Sequence, residues 1–308
     1  MAKPRLLNTH SKEWEGYKLF LYVLPCLIFI FIFKYLPLWG WSYAFFQYKP
    51  GRDLFKCAFV GLQNFTALFG NAVMRNNLLR VLRNTFGIQI LNYLLMPVPM
   101  LFAIFLSEIK STKFQKAVQT LTTLPHFISW VIMFSLATSL FGNSGVVNAV
   151  LKNFGAEGIN ILTTDQHVWL IQSLLALWKS LGWSAIIYFA AITGLDQEVY
   201  EAAMVDGASR WQKIRYITIP LLIPTFFVLL IMGIGNFLNS GIDQFLAFGN
   251  AMNKEYIEVL DLYVYNLGIG NGQISFSVAV GMMKSVVAVV LFALANFASK
   301  KVRGTSVF

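Results

Sequence analysis

Four carboxylates crowd into residues 196–206 of this chain: Asp196, Glu198, Glu201 and Asp206. Among them stand the small side chains Ala202, Ala203, Gly207 and Ala208, and Arg210, Lys213 and Arg215 follow. Apolar residues at 195, 199, 200, 203 and 204 recur at helical spacing, which predicts a short amphipathic helix. A single helix with such small side chains leaves little room for a substrate, so acid–base catalysis fits poorly. Docking fits better: an acidic face with short side chains can sit deep in the basic groove of a protein partner. Gly207 can take the left-handed conformation that turns one short helix into the next. The plainer alternative is an amphipathic helix lying on a membrane surface.

Two lysines pose a second question. Lys179 and Lys284 fall near the middle of long apolar runs, where a charge is costly and marks a functional candidate. The alternative is a lysine paired in the interior. His126, just after Pro125, has no companion at ligand spacing and is expected to be buried and hydrogen-bonded. With three histidines and no HExxH pattern, a catalytic metal has no basis. No GxxxxGK[ST] loop occurs, so the chain is not itself a nucleotide hydrolase of that type. Cys26 and Cys57 make no metal-spaced pair, and a disulfide framework is not expected.

These residues must be positioned by elements of an unusual composition. Of 308 residues, 57% are hydrophobic and only 12% charged. Soluble domains carry roughly 25% charged residues. The mean hydropathy is +0.62, and the chain reads as an integral membrane protein. Its 24 Lys+Arg against 14 Asp+Glu would suggest nucleic acid in a soluble protein. In a membrane protein the excess belongs on cytoplasmic loops facing anionic lipid, so no nucleic-acid partner is expected.

A spanning helix needs about 20 apolar residues. Six stretches qualify: 18–40, 82–107, 117–141, 168–193, 214–239 and 274–299. The expected architecture is therefore all-α, six transmembrane helices in a single domain over 1–308, with a basic tail at 1–17. Aromatics and Pro37 follow the first apolar run where a cleaved signal would have small residues, so that run is read as a retained span. With both termini inside, inner cations outnumber outer ones 13 to 8, which favours that orientation. The first outer connection, about 41–81, is rich in aromatics and is expected to pack along the interface. Pro220 and Pro224 should kink span five near its inner end.

The pattern Glu201-Ala202-Ala203, three residues, Gly207, nine residues, Ile217, one residue, Ile219-Pro220 resembles the EAA motif of bacterial ABC-importer permeases. Ile219 replaces the usual Leu, a conservative departure. The resemblance extends over nearly the whole chain to the carbohydrate-type permeases, in the complex-polysaccharide or aldouronate branch. Tyr35–Gly40, Trp178–Trp183, Gly241–Gln244, Leu262–Tyr265 and Gly281–Lys284 are the segments that carry it. It implies a type I importer permease fold in the bacterial cytoplasmic membrane. Residues 195–213 would form the coupling loop, with Glu201, Ala202, Ala203, Asp206, Gly207 and Ala208 docked on a cytoplasmic ATPase.

The partners implied are a second homologous permease, a homodimeric or paired ATPase that binds ATP and Mg²⁺, an extracellular substrate-binding protein and membrane lipid. The chain itself would hold no cofactor and catalyse no reaction. It would move oligosaccharides, including acidic, uronate-containing ones, by alternating access. The candidate substrate pathway comprises Trp178, Lys179, Trp183, Asn236, Asn239, Gln244 and Lys284. The tryptophans could stack on sugar rings or simply pack. The amides could bind hydroxyls or bridge to the second permease. The main rival is an ion-coupled secondary transporter or channel, which needs no ATPase and no acidic docking loop. A membrane glycosyltransferase would need clustered acids or histidines at one interface.

Overall fold

The computed structural model describes the backbone of residues 9–303 and the side chains of residues 16–297. Lys3 and Arg5 of the basic tail lie outside the described residues, as do the side chains of Lys12, Lys300, Lys301 and Arg303. Among the described residues there is no β-strand.

The first described element is α1 (Thr9–Ile30), which runs through a π-turn at Phe31–Tyr35 into a 3₁₀ stretch, Leu36–Phe45. A short α2 (Gln63–Gly70) precedes α3 (Ala72–Leu94) and α4 (Pro97–Ser107). Next come α5 (Thr112–Thr123), α6 (Trp130–Phe141) and α7 (Val146–Asn153), and then the long α8 (Val168–Thr193). The connector contains α9 (Gln197–Val205) and α10 (Arg210–Lys213), and a π-turn leads into α11 (Ile219–Ile234). Three short helices, α12 (Asp243–Phe248), α13 (Lys254–Ile257) and α14 (Leu260–Tyr265), precede the final α15 (Ile274–Arg303).

Among the described residues six helical stretches are long and apolar enough to cross a membrane, and four differ from the sequence expectation, the first by running on to Phe45. The second starts at Ala72, where Asn71 caps α3 by accepting from the amides of Val73 and Met74. It breaks at residues 95–96, ahead of Pro97, which has no amide to donate and begins α4. The expected third span, 117–141, is not one helix. α5 stops at Thr123, Pro125 lies in a 3₁₀ turn, Ile128 is extended, and Ser129 caps α6. The apolar stretch there is Trp130–Asn153. The fifth runs from Arg210 to Ile234 and ends five residues short of the expected 239.

Proline acts at the start of this fifth stretch as well. The π-turn Ile214–Thr218 sits just before Pro220, with the Ile219 amide donating to the Ile214 carbonyl. Pro224 lies inside α11 without ending it.

The core is built around α8, which packs against α3, α4, α5, α11 and α13. One buried cluster joins Ile88, Leu175, Phe245, Phe248, Ile257 and Val259. A second, around Ile104, Tyr188 and Leu222, ties α4, α8 and α11 together. α1 is the exception: from Gly16 to Ile30 it buries no side chain, and its leucines and phenylalanines face outward all round. A helix apolar on every side is solvated by lipid or by another protein, not by water.

Candidate functional site

The connector between the fourth and fifth spans folds as the acidic motif demands. Asp196 caps α9, its Oδ1 accepting from the Glu198 amide at 2.9 Å, and Glu198 lies in the first turn. Two of the four acids thus complement the positive end of the helix. At the other end Asp206 follows the last helical residue, Val205, as the C-cap, and Gly207 takes φ +76°. The Ala208 amide donates to the Ala203 carbonyl at 2.9 Å and the Gly207 amide to the Met204 carbonyl at 3.1 Å. This pair of bonds is a Schellman turn. Ser209 then begins α10 with a complete capping box: its Oγ accepts from the Gln212 amide, and its own amide donates to Gln212 Oε1 at 2.7 Å.

Glu201, Ala202, Asp206 and Gly207 are exposed, Ala203 and Ala208 half-buried, and no residue of α9 is buried. Val205 is 88% exposed and Met204 54%, so an apolar strip accompanies the acids on a surface the chain leaves uncovered. Glu201 and Asp206 make no ion pair among the described residues. The connector is nevertheless fixed to the membrane part. The Tyr200 hydroxyl meets buried Thr218 Oγ1 at 2.9 Å, at the end of the π-turn. Trp211 packs edge-on against Phe105 of α4, with ring centroids 6.0 Å apart.

A cavity of about 480 Å³ lies between the second, fourth and fifth spans. Asn92 of α3, Ser173, Ser180, Trp183 and Ser184 of α8, and Leu229 of α11 line it. Its wall mixes hydroxyls and an amide with an aromatic face, chemistry suited to a polyhydroxylated ligand. The Tyr188 hydroxyl, at the same wall, is buried and has no hydrogen-bond partner among the described residues. Trp183 is 46% exposed, and His126 stacks on it with ring centroids 4.5 Å apart and planes 1° from parallel. His126 is half-buried in this stack, not enclosed and hydrogen-bonded as the sequence suggests.

The other pathway candidates are dispersed. Trp178 packs into the core beside an apolar cavity shared with Leu140, Phe141 and Leu162. Gln244 is buried and donates to the backbone carbonyl and Oε1 of Gln172 at 2.8 and 2.9 Å. Asn236 and Asn239 are exposed past the end of α11, the Asn239 amide donating to Asn236 Oδ1 at 3.1 Å. Lys179 donates to the backbone carbonyls of Pro125, His126 and Ile128. Lys284 is paired with Asp261.

Asp261 belongs to a network the sequence reading missed. Its second oxygen accepts from the amides of Ser240 and Gly241 at 2.8 and 3.1 Å. Ser240 Oγ in turn accepts from Gln89, and Gln89 Oε1 from Asn92 on the cavity wall. The ion pair therefore connects α14, α15, the end of the fifth span and the cavity-lining helix α3. An acid within Leu260–Tyr265, next to a lone lysine in the last span, was the available signal.

Known proteins are similar to this chain in sequence and fold. The family described as "Binding-protein-dependent transport system inner membrane component" matches over residues 88–304. The polygalacturonan/rhamnogalacturonan transport system permease protein YteP of Bacillus subtilis is 40% identical over 285 residues, covering 92% of this chain and 88% of its own length. Protein LplB of the same organism is 37% identical with the same coverage. Among solved structures, a chain of a bacterial ABC transporter involved in the import of the acidic polysaccharide alginate superposes with a TM-score of 0.83 at 32% identity. The match covers 97% of this chain and all of that one.

Proposed function

The chain belongs to the family of binding-protein-dependent transport system inner membrane components, and on that premise we propose that it is one of two permease subunits of an ATP-driven importer of oligosaccharides. The observation that carries this reading is the connector: an exposed, fully capped acidic helix, turned at Gly207 and tied to span five through Tyr200 and Thr218. Such a helix is a docking element with a mechanical outlet. A cytoplasmic ATPase dimer that binds ATP and Mg²⁺ would seat Glu201, Ala202, Ala203, Asp206, Gly207 and Ala208 of each permease. Closure of that dimer would push the connectors together, and α10 and the π-turn would carry the displacement into α11. Leu229 on α11 lines the cavity, so the pathway would open alternately to either side.

In this reading the connector and both termini are cytoplasmic, and the chain itself holds no cofactor and changes no bond in its cargo. A substrate-binding protein would deliver the sugar from outside. A structure similar to this chain is described in complex with a periplasmic protein bound to an alginate pentasaccharide. The polygalacturonan named for one relative and the acidic polysaccharide named for the solved transporter support an acidic, uronate-bearing cargo. Trp183 supplies a stacking face, and Ser180, Ser184, Asn92 and the Tyr188 hydroxyl supply hydrogen bonds.

The test is reconstitution of the chain with a second permease, the ATPase and the binding protein in proteoliposomes. ATP-dependent uptake of oligogalacturonate is expected, with none from the chain alone. Uptake by the single chain, driven by an ion gradient without ATP, would point instead to a secondary transporter.

A further inference from the structure

The chain is broken between α5 and α6, beside the midpoint of the fourth span, and among the described residues the break leaves the carbonyls of His126 and Ile128 without an amide donor. α5 ends at Thr123, Pro125 donates no amide, and the chain turns extended at Ile128 before α6 starts. Exposed carbonyls at such a depth cost several kcal/mol each unless a donor reaches them. Lys179 reaches both: its ammonium carries three protons, and Nζ bonds the carbonyls of His126 at 2.8 Å and Ile128, and also that of Pro125 at 3.0 Å, which already accepts from the Ile128 amide at 3.2 Å. The same Nζ lies 5.5 Å from the centroid of the Trp130 ring, at the first residue of α6.

The rest of the Trp178–Trp183 segment serves the same crossing. Gly182 lets α8 pass directly against the backbone of Thr122 and Thr123, which a Cβ would overlap. Trp183, one turn beyond Lys179, receives the stacked His126 ring from the broken segment and presents its free side to the cavity.

We propose that Lys179 is a positioning residue: it pins the break between α5 and α6 and thereby sets the His126–Trp183 wall of the cavity, and does not bind the cargo's carboxylate. Two observations separate the roles. All three ammonium protons have protein acceptors, so none is left for a cargo anion. Lys179 also borders a cavity of about 740 Å³ whose wall includes the exposed carboxylate of Asp243, a poor neighbour for an acidic sugar. The inference rests on the reading of the Trp183 cavity as the transport path.

The experiment compares wild type, Lys179→Met and Lys179→Gln in the reconstituted four-component complex. It measures amide exchange over residues 126–133 and uptake of a neutral and a uronate-bearing oligosaccharide. Lys179→Met is expected to speed exchange at Ile128, Ile132 and Met133 at least tenfold and to lower uptake of both cargoes by the same factor. Lys179→Gln keeps two donors without the charge, so it should recover protection and both uptakes to within about threefold of wild type. Unchanged exchange, or selective loss of the uronate-bearing cargo in both variants, would overturn the proposal. If Lys179→Met does not accumulate, Lys179→Gln decides between the roles by its cargo selectivity. If wild type moves neither sugar, the transport reading falls while the exchange comparison still tests the positioning role.

Discussion

The crossing at Trp178–Trp183 and the connector at 195–213 lie on and just after the same helix, α8, yet they treat polar groups in opposite ways. In the crossing, a charged side chain is used up inside the chain: Lys179 serves three carbonyls, and Gly182 admits another backbone to contact. In the connector, the backbone satisfies itself through Asp196, the Gly207 turn and the Ser209 box, and the side chains of Glu201 and Asp206 are left exposed. The first region is finished when the chain folds. The second is folded but incomplete without a surface to receive it. Polar side chains spent on their own backbone thus mark structure here, and polar side chains spared by it mark an interface.

Variants can break this contrast. The largest effect on coupling is expected for Gly207→Glu. A side chain at φ +76° is strained, and the added charge and bulk fall on the docking face. Substrate-stimulated ATP hydrolysis should fall by on the order of 100-fold while the protein remains in the membrane; converted to energy, that is roughly 2.7 kcal/mol. Unchanged stimulation would remove the connector from the coupling role.

The largest effect on stability is expected at the interior ion pair. Asp261→Asn or Lys284→Met leaves a half-buried charge without its partner, costing about 3–5 kcal/mol. A lower unfolding temperature in detergent checks it, and the Asp261→Asn, Lys284→Met double variant should recover much of the loss. Gly182→Ala should cost about 1–3 kcal/mol by overpacking the crossing, read by the same melt. Tyr200→Phe removes one hydrogen bond, about 1 kcal/mol, and should leave the melt nearly unchanged while raising ATP hydrolysed per sugar moved. A large loss of stability in Tyr200→Phe would place the connector with the finished regions and dissolve the contrast.

The same contrast explains what could be read from residues alone. The connector was legible because its determinants are local: Asp196, Gly207 and Ser209 act on neighbours within five positions. Six apolar stretches were legible from composition, and the number stands. The break at Thr123–Ser129 was not, because a hydropathy pattern averages side chains and takes no account of carbonyls. Its sign was present in Pro125 and in a lysine 54 residues later, but only the fold brings those two together. Asp261 was passed over for a related reason: its partner lies 23 residues on, across a turn. Gln244 looked like a pathway group because its neighbour Gln172 is distant in sequence; in the fold it is an interior bond.

The Schellman turn at Gly207 has one more consequence. Because the amides of Asp206, Gly207, Ala208 and Ser209 already have acceptors within the connector, it does not have to become ordered when it meets another surface. Association then forfeits little chain freedom, so even a modest contact area can hold, release and hold again in each turnover. A floppy connector would absorb part of every displacement as its own rearrangement; this one has no slack to take up, and a push at one end arrives at the other almost undiminished.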